Sequence, residues 1–171
     1  MQRVKVRPAD RSDRASILTT VRAAFIGDAH NEQEEVDIVE SIWSRRAEVD
    51  GLDLVAVRHD EVVGHVLGSW GDLGGSAVAG IAPLSVSPLH QSSGVGTALM
   101  TQIIRAGTSS ALPLVVLLGD PGYYRRFGFE PAERFGIWYE PAGHGNPHFM
   151  VRPLPGFSAH VDGQYRYAWE L

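Results

Sequence analysis

Leu84-Ser-Val-Ser-Pro-Leu-His-Gln91-Ser-Ser-Gly94-Val-Gly96-Thr97-Ala-Leu99 is the stretch that decides the fold. An apolar strand runs into a glycine-containing turn, and the turn opens an amphipathic helix. Such a turn offers several consecutive backbone N–H groups at a helix N-terminus, where partial positive charge collects, which is what a pyrophosphate requires. Gln91 stands three residues before Gly94, and Gly94-Val95-Gly96 lets the main chain approach a ligand without Cβ interference. Two other phosphate loops fit less well. A P-loop needs Gly-Lys-Ser/Thr, but the only lysine in the chain is Lys5. A dinucleotide fingerprint needs a third glycine where Leu99 stands, and its acidic residue further along is hard to place. An ordinary strand-to-helix turn remains open on these residues alone.

A second stretch carries independent information: Val115-Val-Leu-Leu-Gly119-Asp120-Pro121-Gly-Tyr123-Tyr124-Arg-Arg-Phe-Gly128-Phe129. The apolar run predicts a buried strand. Asp120 suits a helix N-cap, Pro121 the first helical position and Gly128 the stop, so a short helix carries Tyr123 and Tyr124. A Tyr/Phe cluster at a core edge would use the same residues. The first stretch matches Gln/Arg-x-x-Gly-x-Gly/Ala, and Tyr124-x-x-x-Gly128-Phe129 matches Tyr-x-x-x-Gly-Phe. On these two motifs, in this order, the chain resembles the GNAT N-acetyltransferase superfamily. The longer run Leu-Gly-Asp-Pro-x-Tyr-Tyr-x-Arg-Phe-Gly-Phe is similar to its bacterial YhbS-like branch. The resemblance runs from about Val4 to Phe129 and weakens beyond.

Composition bounds the remaining choices. The 171 residues, 44% of them apolar, suit one soluble domain: residues 1–171, with a core over 3–130 and C-terminal strands and an acceptor-side loop over 131–171. No apolar run approaches a membrane span, and the N-terminus starts as a strand without a signal-peptide core, so a cytoplasmic protein with no membrane partner is expected. Cysteine is absent, which excludes disulfides, thiolate metal sites and an acyl-cysteine intermediate. The net charge of −5 without a basic block argues against nucleic acid.

Val4–Arg7 alternates as a first strand. Asp10 or Ser12 can cap a helix through Ile17, Leu18, Val21 and Phe25, and a second helix places Val36, Val39, Ile42 and Trp43 on one face. Leu52–Arg58 and Val62–Gly68 flank a hairpin at His59-Asp60-Glu61. Ser76–Val86 is a fourth strand in which Pro83 predicts a bulge or an edge. The phosphate-loop helix spans Gly94–Arg105, and Gly107-Thr-Ser-Ser reads as a polar link to the fifth strand. His148–Arg152 and Gln164–Glu170 read as terminal strands. This order is the GNAT arrangement: a mixed α/β fold with a mostly antiparallel sheet of about seven strands and helices on both faces.

The resemblance implies an N-acyltransferase that uses acetyl-CoA as cosubstrate, without a metal, and passes the acetyl group directly to a primary amine on a small molecule or peptide. Gln91, Ser92, Ser93, Gly94, Val95, Gly96 and Thr97 would hold the pyrophosphate. Leu84, Ser85 and Val86 would meet the pantetheine in a cleft where the fourth and fifth strands splay, with a main-chain N–H near Leu84 polarising the acetyl carbonyl. Tyr124 would protonate the leaving thiolate, and Tyr123 would pack against CoA or the core.

The general base is the open position. Some members of the superfamily carry a carboxylate on the fourth strand, and Gly80-Ile-Ala-Pro-Leu-Ser-Val has none. Glu35 and Glu32 are the candidates, with His30 and Glu34 beside them, although such a run also makes a capped, solvated helix start. His65, a water chain or an acceptor arriving neutral are alternatives. His144 and His148 are four apart, but Gly145-Asn146-Pro147 between them cannot be helical, which argues against a metal pair. That loop, after Trp138 and Tyr139, reads as a wall of the acceptor pocket. A non-catalytic acyl-CoA sensor of the same fold and transfer to a hydroxyl or of a longer acyl group stay open. The aromatic C-terminal strands offer a surface for a homodimer.

Overall fold

The structure is a computed structural model and describes residues 3–28 and 31–171. Four helices and nine strands alternate as β1 (Lys5–Pro8), α1 (Arg14–Ala24), α2 (Glu32–Arg45), β2 (Glu48–Arg58), β3 (Glu61–Leu73), β4 (Ser76–Val86), α3 (Val95–Ser109), β5 (Leu114–Leu118), α4 (Pro121–Tyr124), β6 (Glu130–Pro131), β7 (Ile137–Trp138), β8 (Phe149–Pro153) and β9 (Gly163–Tyr167). The sheet runs β1-β2-β3-β4-β5-β8-β6, with β9 on β3 and β7 on β9. Among the described residues only β4–β5 and β7–β9 are parallel.

Local chemistry sets most of these boundaries. The Asp10 carboxylate accepts from Ser12 N and caps the turn that leads into α1, so of the two expected caps it is Asp10 that acts. Asn31 caps α2 by accepting from Gln33 N at 3.0 Å, and Glu32, Glu34 and Glu35 meet the positive end of the helix dipole. His59 and Asp60 both have positive φ, 51° and 62°, the conformation of a tight two-residue hairpin.

The strand alternation sorts the core into two faces. Leu52, Leu54 and Ala56 of β2 pack with Leu99, Met100 and Ile103 of α3, while Val55 and Leu67 face Ile17 and Val21 of α1 and Val36, Val39, Ile42 and Trp43 of α2. On the α1/α2 side of the sheet, the far half is covered by the C-terminal segment, whose Tyr165 and Tyr167 pack on Val78, Val116 and Phe149.

Three boundaries differ from the sequence reading. α3 continues through Gly107 to Ser109, so the expected polar link belongs to the helix. Gly107 is buried against Leu154, Leu112 and Val115, and the helix runs on through it despite its low propensity. The last strand stops at Tyr167 and Ala168–Glu170 turn as a 3-10 helix. Among the described residues the sheet has nine strands where about seven were expected, since β6 and β7, two residues each, are too short to carry a period.

Candidate active site

β4 and β5 are hydrogen-bonded neighbours at only two positions, Ala79↔Val115 and Gly80↔Val116. Beyond Gly80 the strands part, and among the described residues no strand covers the released edge of β4. The expected bulge lies here: Ala82 and Pro83 together oppose Leu67, between Ile81↔Gly68 and Leu84↔Val66. A groove of 310 Å³ opens beside this edge. Its strand wall is Leu84 and Val86, its loop wall Gln91, Ser92 and Gly96, and Tyr123 and Phe25 flank it. The sequence reading did not anticipate the wall formed by Ala24, Phe25 and Asp28, because nothing local marks the end of α1 as facing β4.

The loop is built for close approach. After the 3-10 turn Pro88–His90, Ser92 and Gly94 both take left-handed backbone, φ 56° and 86°. Left-handed residues in such a turn direct neighbouring N–H groups to a common point, an anion-binding nest. The first intrahelical bond is Ala98 N to Gly94 O, so the N–H groups of Val95, Gly96 and Thr97 lie outside the α3 ladder. Gln91 Nε2 donates to Val86 O at 3.2 Å, tying the loop to the end of β4. Ser93 Oγ bonds His90 O, whereas the Ser85 hydroxyl is buried away from the groove without a protein partner.

α4 forms as expected at its start. Asp120 accepts from Gly122 N at 2.9 Å and Pro121 occupies the first turn. The helix is a single turn, continued by the 3-10 turn Arg125–Phe127, and Gly128 ends it at φ 81°. Its two tyrosines divide. Tyr123 turns to the phosphate loop: its hydroxyl occupies the space where a Gly96 Cβ would stand, and it shares a hydrogen bond with Thr97. Burial raises its phenol above the usual range, opposed by Arg126, stacked 4.5 Å from the ring centroid. Tyr124 turns under Gly119, edge-on to Tyr123 at 4.9 Å and to Phe129 at 6.0 Å. Burial pushes its phenol well above the ordinary value, and the charges of Tyr123, Asp120 and Glu35 push in the same direction. The Tyr124 phenol therefore stays protonated to above the ordinary tyrosine value.

The acidic turn of α2 is also resolved into individuals. Glu34 is exposed, and Glu32 and Glu35 are half-buried. Burial is the main cause that raises both the Tyr124 and the Tyr167 phenol, and the Glu35 charge adds a smaller push to each. His30 lies outside the described residues. His65 is fully buried beneath α2, with Nε2 2.8 Å from Asp53 Oδ1, so it stands in the core. His144 stacks on Trp138 at 5.0 Å and lies 3.4 Å from Glu140. Among the described residues no group of three or more His, Cys, Asp or Glu is arranged to hold a metal ion.

Tyr167 is the neighbour that sequence reasoning missed. Its ring packs against Gly80, where a Cβ would come within 2.7 Å of Cε1, at the last rung before β4 and β5 part. Tyr139 Oη and Tyr167 N both donate to Glu170, at 2.6 and 2.8 Å, and fix this turn. An aromatic in a terminal strand gives no local sign of such a position.

The sequence pattern of the acetyltransferase (GNAT) family matches residues 17–129, which include both motifs, the α2 carboxylates and all of β4. The uncharacterized N-acetyltransferase YjhQ of Escherichia coli K12 is 31% identical over 126 residues, 71% of this chain and 67% of YjhQ. The uncharacterized N-acetyltransferase YhbS of the same organism is 36% identical over 84 residues, 47% of this chain and half the length of YhbS. Among solved structures, a GNAT family acetyltransferase from Brucella melitensis in complex with acetyl-CoA superposes with a TM-score of 0.81 at 29% identity, covering 98% of this chain and 97% of that one. YhbS from Escherichia coli in complex with CoA gives 0.85 at 26% identity, with 96% and 89% covered. With the splayed strands, the glycine loop and the tyrosine turn all in place, the chain belongs to the GNAT acetyltransferase family, on its YhbS-like branch.

Proposed function

We propose that this protein transfers the acetyl group of acetyl-CoA to a primary amine by direct attack. The observation that carries the reading is the junction of the parted β4 edge with the glycine loop, in one groove lined by Leu84, Val86, Gln91, Ser92, Gly96 and Tyr123. A pantetheine arm is an extended chain with amide donors and acceptors, which suits the parted edge of β4 at Leu84 and Val86. The pyrophosphate suits the N–H groups from Ser92 to Thr97, where the helix dipole is positive and Gly96 has no side chain. Acetyl-CoA supplies an activated thioester.

The chain's own groups then account for the protons. Transfer from an ammonium acceptor removes two protons from nitrogen, returns one to sulfur and releases one. Glu35 takes the proton that frees the amine lone pair, either directly or through water. A main-chain N–H near Leu84 stabilises negative charge on the carbonyl oxygen. Tyr124 donates its proton to the departing thiolate and recovers one, through water, from the second proton that nitrogen loses, while the proton on Glu35 passes to solvent. The acceptor reaches the site between the start of α2 and the C-terminal turn that holds Tyr167.

Calorimetric titration with acetyl-CoA and with CoA tests the binding half of this reading. Micromolar binding of both supports it and leads to an acceptor screen that follows thiol release. No heat at millimolar ligand removes the loop assignment and the enzyme with it.

A further inference from the structure

A second cavity of 510 Å³ lies at the other end of the α1/α2 pair and shares no lining residue with the groove. The strand wall presents Glu48, Asp50 and Asp53 of β2, and the facing wall presents Arg11 in the turn before α1, Arg14 at the start of α1 and Arg46 after α2, with Asp10 beside Arg11 and its carboxylate accepting from Ser12 N. The β2–β3 register shift between Glu48 and Asp53 pushes this segment out of the regular ladder, with Gly51 at φ 81°.

Among the described residues, Arg11, Arg14, Arg46, Glu48 and Asp50 form no ion pair, with each other or with any other side chain. Glu48 Oε2 is shut off from solvent and has no hydrogen-bond partner. Its cross-strand neighbour Ser69, fully buried, also has an unpartnered hydroxyl. Leaving such buried groups unmet is costly. Other groups are held rigidly. Asp53 accepts from Trp43 Nε1 at 2.9 Å and pairs with His65 at 2.8 Å, and Arg14 lies 4.7 Å from the Trp43 ring centroid. Opposed carboxylates and guanidiniums that do not neutralise one another are complementary to a dipolar ligand.

We propose that this cavity binds a basic α-amino acid. The ligand carboxylate meets Arg14 and Arg46, and its two ammonium groups meet Glu48 and the Asp50/Asp53 side. A simple anion would face the strand carboxylates, and a simple diamine would face the arginines, so neither matches both walls. The volume is within the range of small-molecule sites.

The test is calorimetry on the full chain with L-lysine, with cadaverine (the same diamine without the carboxylate) and with 6-aminohexanoate (without the α-ammonium). L-Lysine is expected to bind, and each analogue to bind about tenfold more weakly or worse. Glu48→Gln and Arg46→Gln should each weaken L-lysine by about tenfold, with acetyl-CoA affinity and the thermal midpoint unchanged. Silence at about 10 mM L-lysine overturns the proposal. Equal binding of cadaverine overturns the dipolar match. L-Lysine binding that ignores both substitutions places it elsewhere, as an acceptor in the groove would be, and also overturns the assignment. Acetyl-CoA binding is scored separately, so loss of the acetyltransferase reading and loss of this one give different results.

Discussion

The hydroxyl of Tyr123 fills the space that a side chain on Gly96 would occupy. This one contact joins the two motifs of the chain, because the glycine belongs to the phosphate loop and the tyrosine to the turn after β5. A side chain at residue 96 would have to displace the Tyr123 hydroxyl, so the protein itself, as well as a ligand that approaches the backbone, favours glycine there.

The relationship can be tested by compensation. Gly96→Ala should weaken acetyl-CoA by about tenfold or more, because Tyr123 has to shift out of the groove. Tyr123→Phe in the same chain removes the clashing oxygen and should restore part of that loss, a non-additivity readable in a double-mutant cycle by calorimetry. Gly96→Asp, which adds a negative charge against the pyrophosphate, should abolish binding with or without the second change.

Tyr124→Phe should lower kcat by about a hundredfold or more and leave the acetyl-CoA dissociation constant within about twofold, as expected for loss of a general acid. The raised pKa adds a pH signature. The wild-type phenol stays protonated well above its ordinary value of 10.0, so no fall in rate from Tyr124 ionisation should be seen up to that pH. Steady-state rates from pH 6 to 10, on the order of half a unit apart, would show it. Unchanged turnover in the variant would leave a protein that binds CoA without using this acid.

Glu35→Gln should remove the acidic limb of the kcat/KM profile and lower the plateau by about tenfold to a hundredfold, while Glu32→Gln changes either by less than about twofold. The contrast rests on the reach of the Glu35 charge to Tyr124 and Tyr167. Equal effects of the two substitutions would assign the acidic turn to capping alone.

Away from the site, Arg7 and Asp13 form a bidentate pair at 2.7 and 2.9 Å, and Asp13 also accepts from Asp10 N at 2.9 Å. The hydrogen bond from Arg7 holds the Asp13 carboxyl below its ordinary 3.8. A depressed carboxyl stabilises the fold above its unfolded pKa, and this contribution is lost as pH falls through the lower folded value. Asp13→Asn should cost about 2 kcal/mol at neutral pH, and its deficit against wild type should shrink below pH 3.8. Urea melts of both proteins across that range measure it.

By itself the sequence determined what depends on neighbours a few positions apart. The Asp120 cap, a cap at Asp10 or Ser12, the apolar faces of α1 and α2, the hairpin at His59-Asp60 and the glycine loop before α3 all follow from local hydrogen bonds and periodicity. The bulge at Pro83 was legible for the same reason, since a residue without an N–H interrupts a ladder wherever it stands. The tertiary structure alone decided that Glu34 is exposed while Glu32 and Glu35 are half-buried, because α2 must first dock its Val36, Val39 and Ile42 face before its first turn has a direction. It also brought Tyr167 against Gly80 and Tyr123 against Gly96, contacts between residues far apart in the chain that exist only once β9 lies on β3 and α4 closes over the loop. Contacts of that separation depend on the packing of the whole sheet, and no short stretch of residues encodes them.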